Sequence, residues 1–320
     1  MSAASQSAAS AKSSDPLRRG PGAAPGVGRA MIHPAALMQI KNLSLRAKSV
    51  VEGFSSGMHR SPLHGFSVEF SEYRPYVLGD DPRRVDWKLL ARTDRYYVKQ
   101  YEDETNRRCY IVVDQSRSMA YGSLAYSKAE YGRTLAATFA YFLTQQRDAV
   151  GLMTCGEGEP DFIPARHRPG HFQQLMRHLE KESLGQMSTL AEGLSALAAR
   201  SRRRGLVIII SDLLLDPESL ALPLGYLRGR GHEVILIRTL DPREVNFTLD
   251  HSTMLRDMET GRQIYVDPAA AKQTYDAKFA EHRSQLTDLC HRRNARIETV
   301  PTDSPLEAAL FELITQMMPK

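Results

Sequence analysis

From Cys109 onward the apolar positions change period repeatedly. Tyr110 to Val113 is a short, largely β-branched run, apolar on both sides, as a strand buried on two faces requires. Leu135, Phe139 and Phe142 then mark one face of a helix, and Ala149 to Thr154 forms a second strand. Phe162 and Ile163 suggest a third strand, short and antiparallel at an edge. Phe172, Leu175, Met176 and Leu179 recur at i, i+3, i+4 and i+7, the signature of a helix. Leu190, Leu194 and Leu197 mark another, begun after Ser188 or Thr189. Leu206 to Ile210 is a fourth strand ending in Ser211-Asp212, and a helix around Leu220 to Leu227 precedes a fifth at Val234 to Ile237. Val245 to Val266 is patterned as a hairpin turning near Thr260-Gly261, followed by a long polar helix from about Pro268 to His291. Ala295 to Val300 gives a sixth strand and Leu306 to Met317 a closing amphipathic helix.

Strands alternating with helices predict an α/β fold, a doubly wound, mostly parallel, Rossmann-like sheet covered on both faces. In the common order 3-2-1-4-5-6 the first and fourth strands are neighbours, and ligands bind beyond the carboxyl ends where the winding reverses. Asp114 ends the first strand and Asp212 the fourth, so this topology brings the two acids together. Upstream, Pro34 to about Val51 reads as a helix. A small β-containing module follows, with Phe66, Val68 and Phe70 alternating, a turn at Gly79-Asp80-Asp81-Pro82, and a second strand near Tyr96, Val98 and Tyr101. Residues 1–30 are rich in Ser, Ala, Gly and Pro, which predicts a disordered tail. The expected division is therefore 1–30, a tail; 31–106, a helix and small module; and 107–320, the sheet domain with a hairpin inserted near 245–266.

Composition changes this picture little. The 320 residues are 42% hydrophobic and 25% charged, an ordinary globular balance. The formal net charge is +5 and the pI about 9.1. Lys12, Arg18, Arg19 and Arg29 against Asp15 place +3 of that in the tail, leaving about +2 for the rest. A basic pI is then a weak pointer to nucleic acid, and Arg200, Arg202, Arg203 and Arg204 read as cations complementing a helix end, with a nucleic-acid patch, and so a nucleic-acid-binding protein, as the alternative. Cys109, Cys155 and Cys290 are far apart and form no CxxC pair, so neither a zinc site nor a disulfide framework is suggested. His167, His171 and His178 lack a fourth ligand and read as surface residues. No apolar stretch approaches the roughly 18 residues a bilayer span needs, and a cytoplasmic location is expected.

The chemistry concentrates in five oxygen-bearing residues. Asp114, Ser116 and Ser118 follow the first strand, Thr189 opens an intervening helix, and Asp212 ends the fourth strand. Such hard ligands suit Mg²⁺ or Mn²⁺. The plainer alternative is that Ser118 and Thr189 only cap helices. Arg74, Asp80, Asp81, Arg83, Arg84 and Asp86 form a dense charged set, read either as a solvated turn or as a partner-docking surface. The neighbouring Trp87 is a packing anchor or a binding platform. An acid ending the first strand also suits a Mg²⁺-dependent phosphohydrolase with Asp114 as nucleophile. Such enzymes want a second acid two residues on, and that position is Ser116. No GxxxxGK[ST] loop and no GxSxG elbow occurs.

DQSRS, Thr189 within GQMSTLAEGL and Asp212 within IIISDLL resemble the metal-ion-dependent adhesion site of von Willebrand factor A-like domains. GDDPRRVDWKLLAR followed by VKQYEDE is similar to a bacterial family known as domain of unknown function fifty-eight. The resemblance runs from about Ser56 to Asp241. It implies a von Willebrand factor A-like fold and a non-enzymatic, metal-dependent protein-interaction module. It further implies a partnership with a MoxR-type AAA+ ATPase and its client in assembling or activating other proteins. Many members carry membrane helices before this region, whereas here a basic, polar tail precedes it, so membrane tethering does not carry over.

Overall fold

The computed structural model describes residues 31–58, 73–77, 85, 87–99, 107–156, 158–181, 188–248, 251–257 and 261–317. Two helices come first, α1 (Pro34–Met38) and α2 (Leu43–Met58). The sequence pattern predicts one helix here. The chain restarts instead, because the Asn42 carboxamide accepts the Leu45 N–H at 2.8 Å and caps a new helix. Next, β1 (Tyr73–Pro75) and β2 (Tyr97–Lys99) pair antiparallel, with α3 (Trp87–Thr93) between them in sequence. The strand expected at Phe66 to Phe70 and the turn at 79–82 lie outside the described residues.

The main sheet starts with β3 (Arg108–Asp114), followed by α4 (Lys128–Gln145), β4 (Ala149–Cys155) and β5 (Asp161–Arg166). Then come α5 (His171–Leu179), α6 (Leu190–Arg200), β6 (Leu206–Ser211), α7 (Ala221–Gly229), β7 (Glu233–Leu240) and the short α8 (Pro242–Asn246). A hairpin of β8 (Thr253–Arg256) and β9 (Gln263–Val266), the long α9 (Pro268–Arg292), β10 (Arg296–Pro301) and α10 (Leu306–Met317) complete the chain. The order across the sheet is β10-β7-β6-β3-β4-β5, the doubly wound order expected from the sequence. Every pairing is parallel except β5 on β4, the antiparallel edge strand.

Successive side chains of a strand point to opposite faces, and the core divides accordingly. Ile111, Val113, Ile208, Ile210, Ile235 and Ile237 pack with Leu135, Phe139 and Leu310 on one face. Tyr110, Val112, Val207, Ile209 and Leu236 pack with Leu194, Leu197, Leu227 and Leu286 on the other. Near-continuous apolar strands are what burial on both faces demands.

Residues 31–58, grouped by sequence with the small module, share the first of these cores: Leu37, Ala47, Val50 and Val51 are buried with α4 and α10. Arg46 fastens them. Its Nη2 donates to the Met38 carbonyl at 2.8 Å and pairs with Glu130 at 2.9 Å, and its Nε donates to the Ile40 carbonyl. The hairpin is also shorter than its sequence pattern. Asp241 and Glu244 form a reciprocal capping box that winds Pro242–Asn246 into α8, so the strands begin only at Thr253. Among the described residues no helix is long and apolar enough to cross a membrane.

Candidate functional site

The parallel register carries Asp114 to the carboxyl edge of the sheet, level with Cys155 and one step past the Val113–Ile210 pair. Ser211 Oγ donates to Asp114 Oδ2 at 2.6 Å, and the Ser116 N–H donates to Oδ1 at 2.8 Å. The Gln115 N–H reaches the Cys155 carbonyl at 2.6 Å, which extends the ladder one residue before the chain tightens into a 3₁₀ turn, Arg117–Ala120. That turn sets the Ser116 and Ser118 hydroxyls 3.1 Å apart. Asp114 is 1% exposed, and among the described residues no cation pairs with it. Burial, with the charge of Asp212 beside it, lifts the carboxyl from 3.8 to about 6, against the bonds from Ser211 and Ser116.

Asp212 has a different environment. Its Oδ2 meets Lys128 Nζ at 2.8 Å, and the same ammonium meets Glu244 Oε1 at 2.6 Å. The Lys128 side chain is wholly buried. Burial alone would lower its pKa, but Asp212 and Glu244 outweigh that and hold it above the ordinary value. Glu244 itself is raised by burial despite the lysine. The capping box fixes α8, and Asp241 also accepts from Ser123 N and Oγ at 2.7 and 2.6 Å, tying the loop after β3 to the end of β7. Arg238, buried in β7, donates from Nε to the Asp212 carbonyl at 3.1 Å and lies 5.0 Å from the Phe279 ring.

Thr189 holds the N-cap position of α6 without a side-chain capping bond, and its hydroxyl donates instead to the Gly156 carbonyl at 3.2 Å, just past the end of β4. Gly193 makes this seat possible, because a side chain there would run into the Cys155 sulfur. Of the five predicted residues, then, Asp114, Ser116 and Ser118 form one connected group. Asp212 lies beside it but is paired with Lys128, and Thr189 stands at the same edge bonded to backbone. The three histidines do not converge. His171 is buried, with Nε2 2.7 Å from the Val150 carbonyl, and His178 lies near Asp161. Of the charged set, Asp80, Asp81, Arg83, Arg84 and Asp86 lie outside the described residues, and Arg74 is placed only as part of β1. Trp87 is 60% exposed, which removes it as a packing anchor among the described residues.

Ser211, Lys128, Glu244 and Arg238 are the contributors that the sequence reading missed. Two left a signal. Lys128 stands in the first turn of α4, where the helix dipole disfavours a cation. Arg238 interrupts an otherwise apolar strand, EVILIRTL.

The donor set fits a hard divalent cation. Asp114 retains an uncompensated buried charge with two hydroxyls at its side. Among the described residues no group of three or more His, Cys, Asp or Glu is placed to hold a metal, so an ion here depends on the serine hydroxyls.

The family described as "Protein of unknown function DUF58" matches residues 72–285. An uncharacterized protein of Mycobacterium tuberculosis is 28% identical over 290 residues, covering 86% of this chain and 90% of that one. An uncharacterized protein of Mycobacterium avium is 34% identical over 146 residues, 44% of this chain and 85% of that one. Among solved structures, the conserved hypothetical protein BatB from Bacteroides thetaiotaomicron is similar at 14% identity and a TM-score of 0.44, covering 66% of this chain and 98% of that one.

Proposed function

The chain belongs to the family DUF58, and from that membership we propose that it is a metal-dependent protein-interaction module without catalytic activity. The observation that carries this reading is Asp114, a buried carboxylate that no cation among the described residues pairs with, flanked by paired hydroxyls at the sheet's carboxyl edge. Asp114, Ser116 and Ser118 would hold Mg²⁺ or Mn²⁺, with Thr189 and Asp212 completing the surroundings. When bound, the ion supplies an electrophilic position that a carboxylate from another protein can fill. Ser211 and the Ser116 N–H orient the Asp114 carboxylate, while Lys128 is shared between Asp212 and Glu244, so Asp114 is the carboxylate of this group that no described cation pairs with. Neutral hydroxyls beside one carboxylate leave a divalent charge partly unmet, which favours an Asp or Glu from a partner.

The partner in this reading is a MoxR-type AAA+ ATPase or its client, and Arg74, Asp80, Asp81, Arg83, Asp86 and Trp87 are a second docking surface. The test is calorimetric titration with Mg²⁺ and Mn²⁺ of wild type, Asp114→Ala and the Ser116→Ala/Ser118→Ala pair. Affinity for a captured ATPase is then measured with Mg²⁺ and with EDTA. Loss of the contact is expected to weaken partner binding about thirty- to a thousandfold, roughly 2–4 kcal/mol. Equal affinities in Mg²⁺, EDTA and the double variant would remove the metal from the interface.

A further inference from the structure

The end of the sheet opposite Asp114 gathers arginines from loops distant in sequence. Arg107 and Arg108 lead into β3, Arg202, Arg203 and Arg204 precede β6, and Arg230 precedes β7. These loops touch one another. A Cβ on Gly205 would collide with the Arg108 carbonyl, and one on Gly231, at φ +80°, would lie 3.5 Å from Arg204 Cβ. The Glu233 N–H donates to the Gly205 carbonyl at 2.9 Å, and Arg230 Nη1 donates to the Ser201 carbonyl at 3.4 Å. Arg147 before β4 and Arg296 at the start of β10 continue the row at either side. Every cation named here is an arginine.

Helix-end stabilisation accounts for only part of this. Arg200 and Arg228 sit in the last turns of α6 and α7, where a cation complements the dipole. Arg202, Arg203 and Arg204 lie beyond the Ser201 cap, fully on the surface, and among the described residues no carboxylate pairs with them. Of the acids described at this edge, Asp148 is 1% exposed and accepts the Arg107 N–H at 3.0 Å, and Glu233 is exposed.

The sheet order makes the arrangement linear. β10, β7, β6, β3 and β4 are successive neighbours, and strands lie about 4.8 Å apart, so the arginines form a row roughly 19 Å long. A linear row fits a linear polyanion. Along the axis of a nucleic acid duplex each strand carries a charge about every 3.4 Å, so about five or six phosphates of one strand span the row. An extended acidic peptide offers same-face carboxylates only about every 6.6 Å, half that density. Arginine's planar fork matches phosphate oxygens two at a time.

We propose that this amino-terminal edge of the sheet binds the phosphate backbone of a nucleic acid strand without regard to base sequence. Backbone contacts carry no base information, and the strand lies across the loops before β3, β6 and β7. The site is independent of Asp114, which stands at the other end of β3.

The experiment is fluorescence anisotropy of the full chain with a labelled DNA duplex of about 20 base pairs and mixed sequence, from about 50 to 200 mM salt. The variant combines Arg202→Ser, Arg203→Ser, Arg204→Ser and Arg230→Ser, with its melting temperature checked against wild type. At the lowest salt it is expected to bind at least about tenfold more weakly, with a log–log salt slope shallower by about two to three. Asp114→Ala and EDTA are expected to leave wild-type oligonucleotide binding unchanged, which separates this site from the metal reading. No binding by wild type at about 50 mM salt, or an unaltered slope in the variant, overturns the proposal. So does stronger competition, at matched charge, from phosphatidylserine vesicles or from polyglutamate, which would reassign the edge to a membrane or to an acidic protein.

Discussion

Asp114 is held in a setting that disfavours its own charge. Its folded carboxyl titrates at about 6 against an ordinary 3.8, so the folded protein binds that proton more tightly than the unfolded chain does. The stabilising contribution is therefore complete below the unfolded value and is lost as pH rises through about 6, by up to roughly 3 kcal/mol. In EDTA, Asp114→Asn is expected to remove this slope and to be more stable than wild type at neutral pH, by about 1–3 kcal/mol. Urea unfolding of both proteins on either side of pH 6 checks it, and an asparagine variant that is less stable at neutral pH would contradict the picture. Lys128 presents the opposite case. Lys128→Met leaves the buried Asp212 and the half-buried Glu244 without this cation and is expected to destabilise by about 3–5 kcal/mol. Adding Asp212→Asn should recover much of that in a double-mutant cycle. The two residues differ equally in legibility. Asp114 and its serines are contiguous in DQSRS, whereas Lys128 meets partners 84 and 116 residues away, a pairing that no local pattern encodes.

Elements were legible where one period dominates. The short apolar runs gave β3, β4, β6 and β7, and the i, i+3, i+4 pattern gave α5. The misreadings have a common cause, side-chain caps that restart or insert a helix: Asn42 at α2 and Asp241 with Glu244 at α8. Close approach between elements is likewise silent in hydrophobic patterning. Gly193 in LAEGL counts as a weak helix residue, yet it lets α6 seat against Cys155 and bring Thr189 to the strand end. Gly193→Ala is expected to destabilise by about 1–3 kcal/mol through overpacking, and to weaken Mg²⁺ binding if Thr189 contributes to it. Cys155→Ala in the same chain vacates the colliding sulfur and should restore most of the loss. Thermal melts of the two single variants and the double variant read the coupling, and purely additive effects would show that the contact is not the cause.

At the scale of the molecule, the strand order is the common doubly wound one, which apolar runs and right-handed crossovers made the expectation, but the partner of the N-terminal helices was not legible. An amphipathic face states that it must be buried and not against what. α2 covers α4, and the Ile32 N–H reaches Glu307 Oε1 at 3.3 Å, 275 residues along the chain. Removing residues 1–58 should therefore open the face that holds Leu135, Phe139 and Leu310 and lower the melting temperature by more than about 10 °C. Removing 1–30 alone, a stretch poor in large apolar residues, should leave it nearly unchanged. Scanning calorimetry of the two truncations distinguishes the cases, and similar melts would mean that α1 and α2 are dispensable.

β3 runs through the middle of all this, an arginine at its first position and an aspartate at its last. Its seven residues separate the two by about 20 Å of rigid, fully paired strand. Ligands of opposite sign at the two ends would not collide. The molecule is then bivalent and polarised, like a connector with unlike plugs. Whatever one end holds would be presented to the cargo of the other at the millimolar effective concentrations that short tethers give.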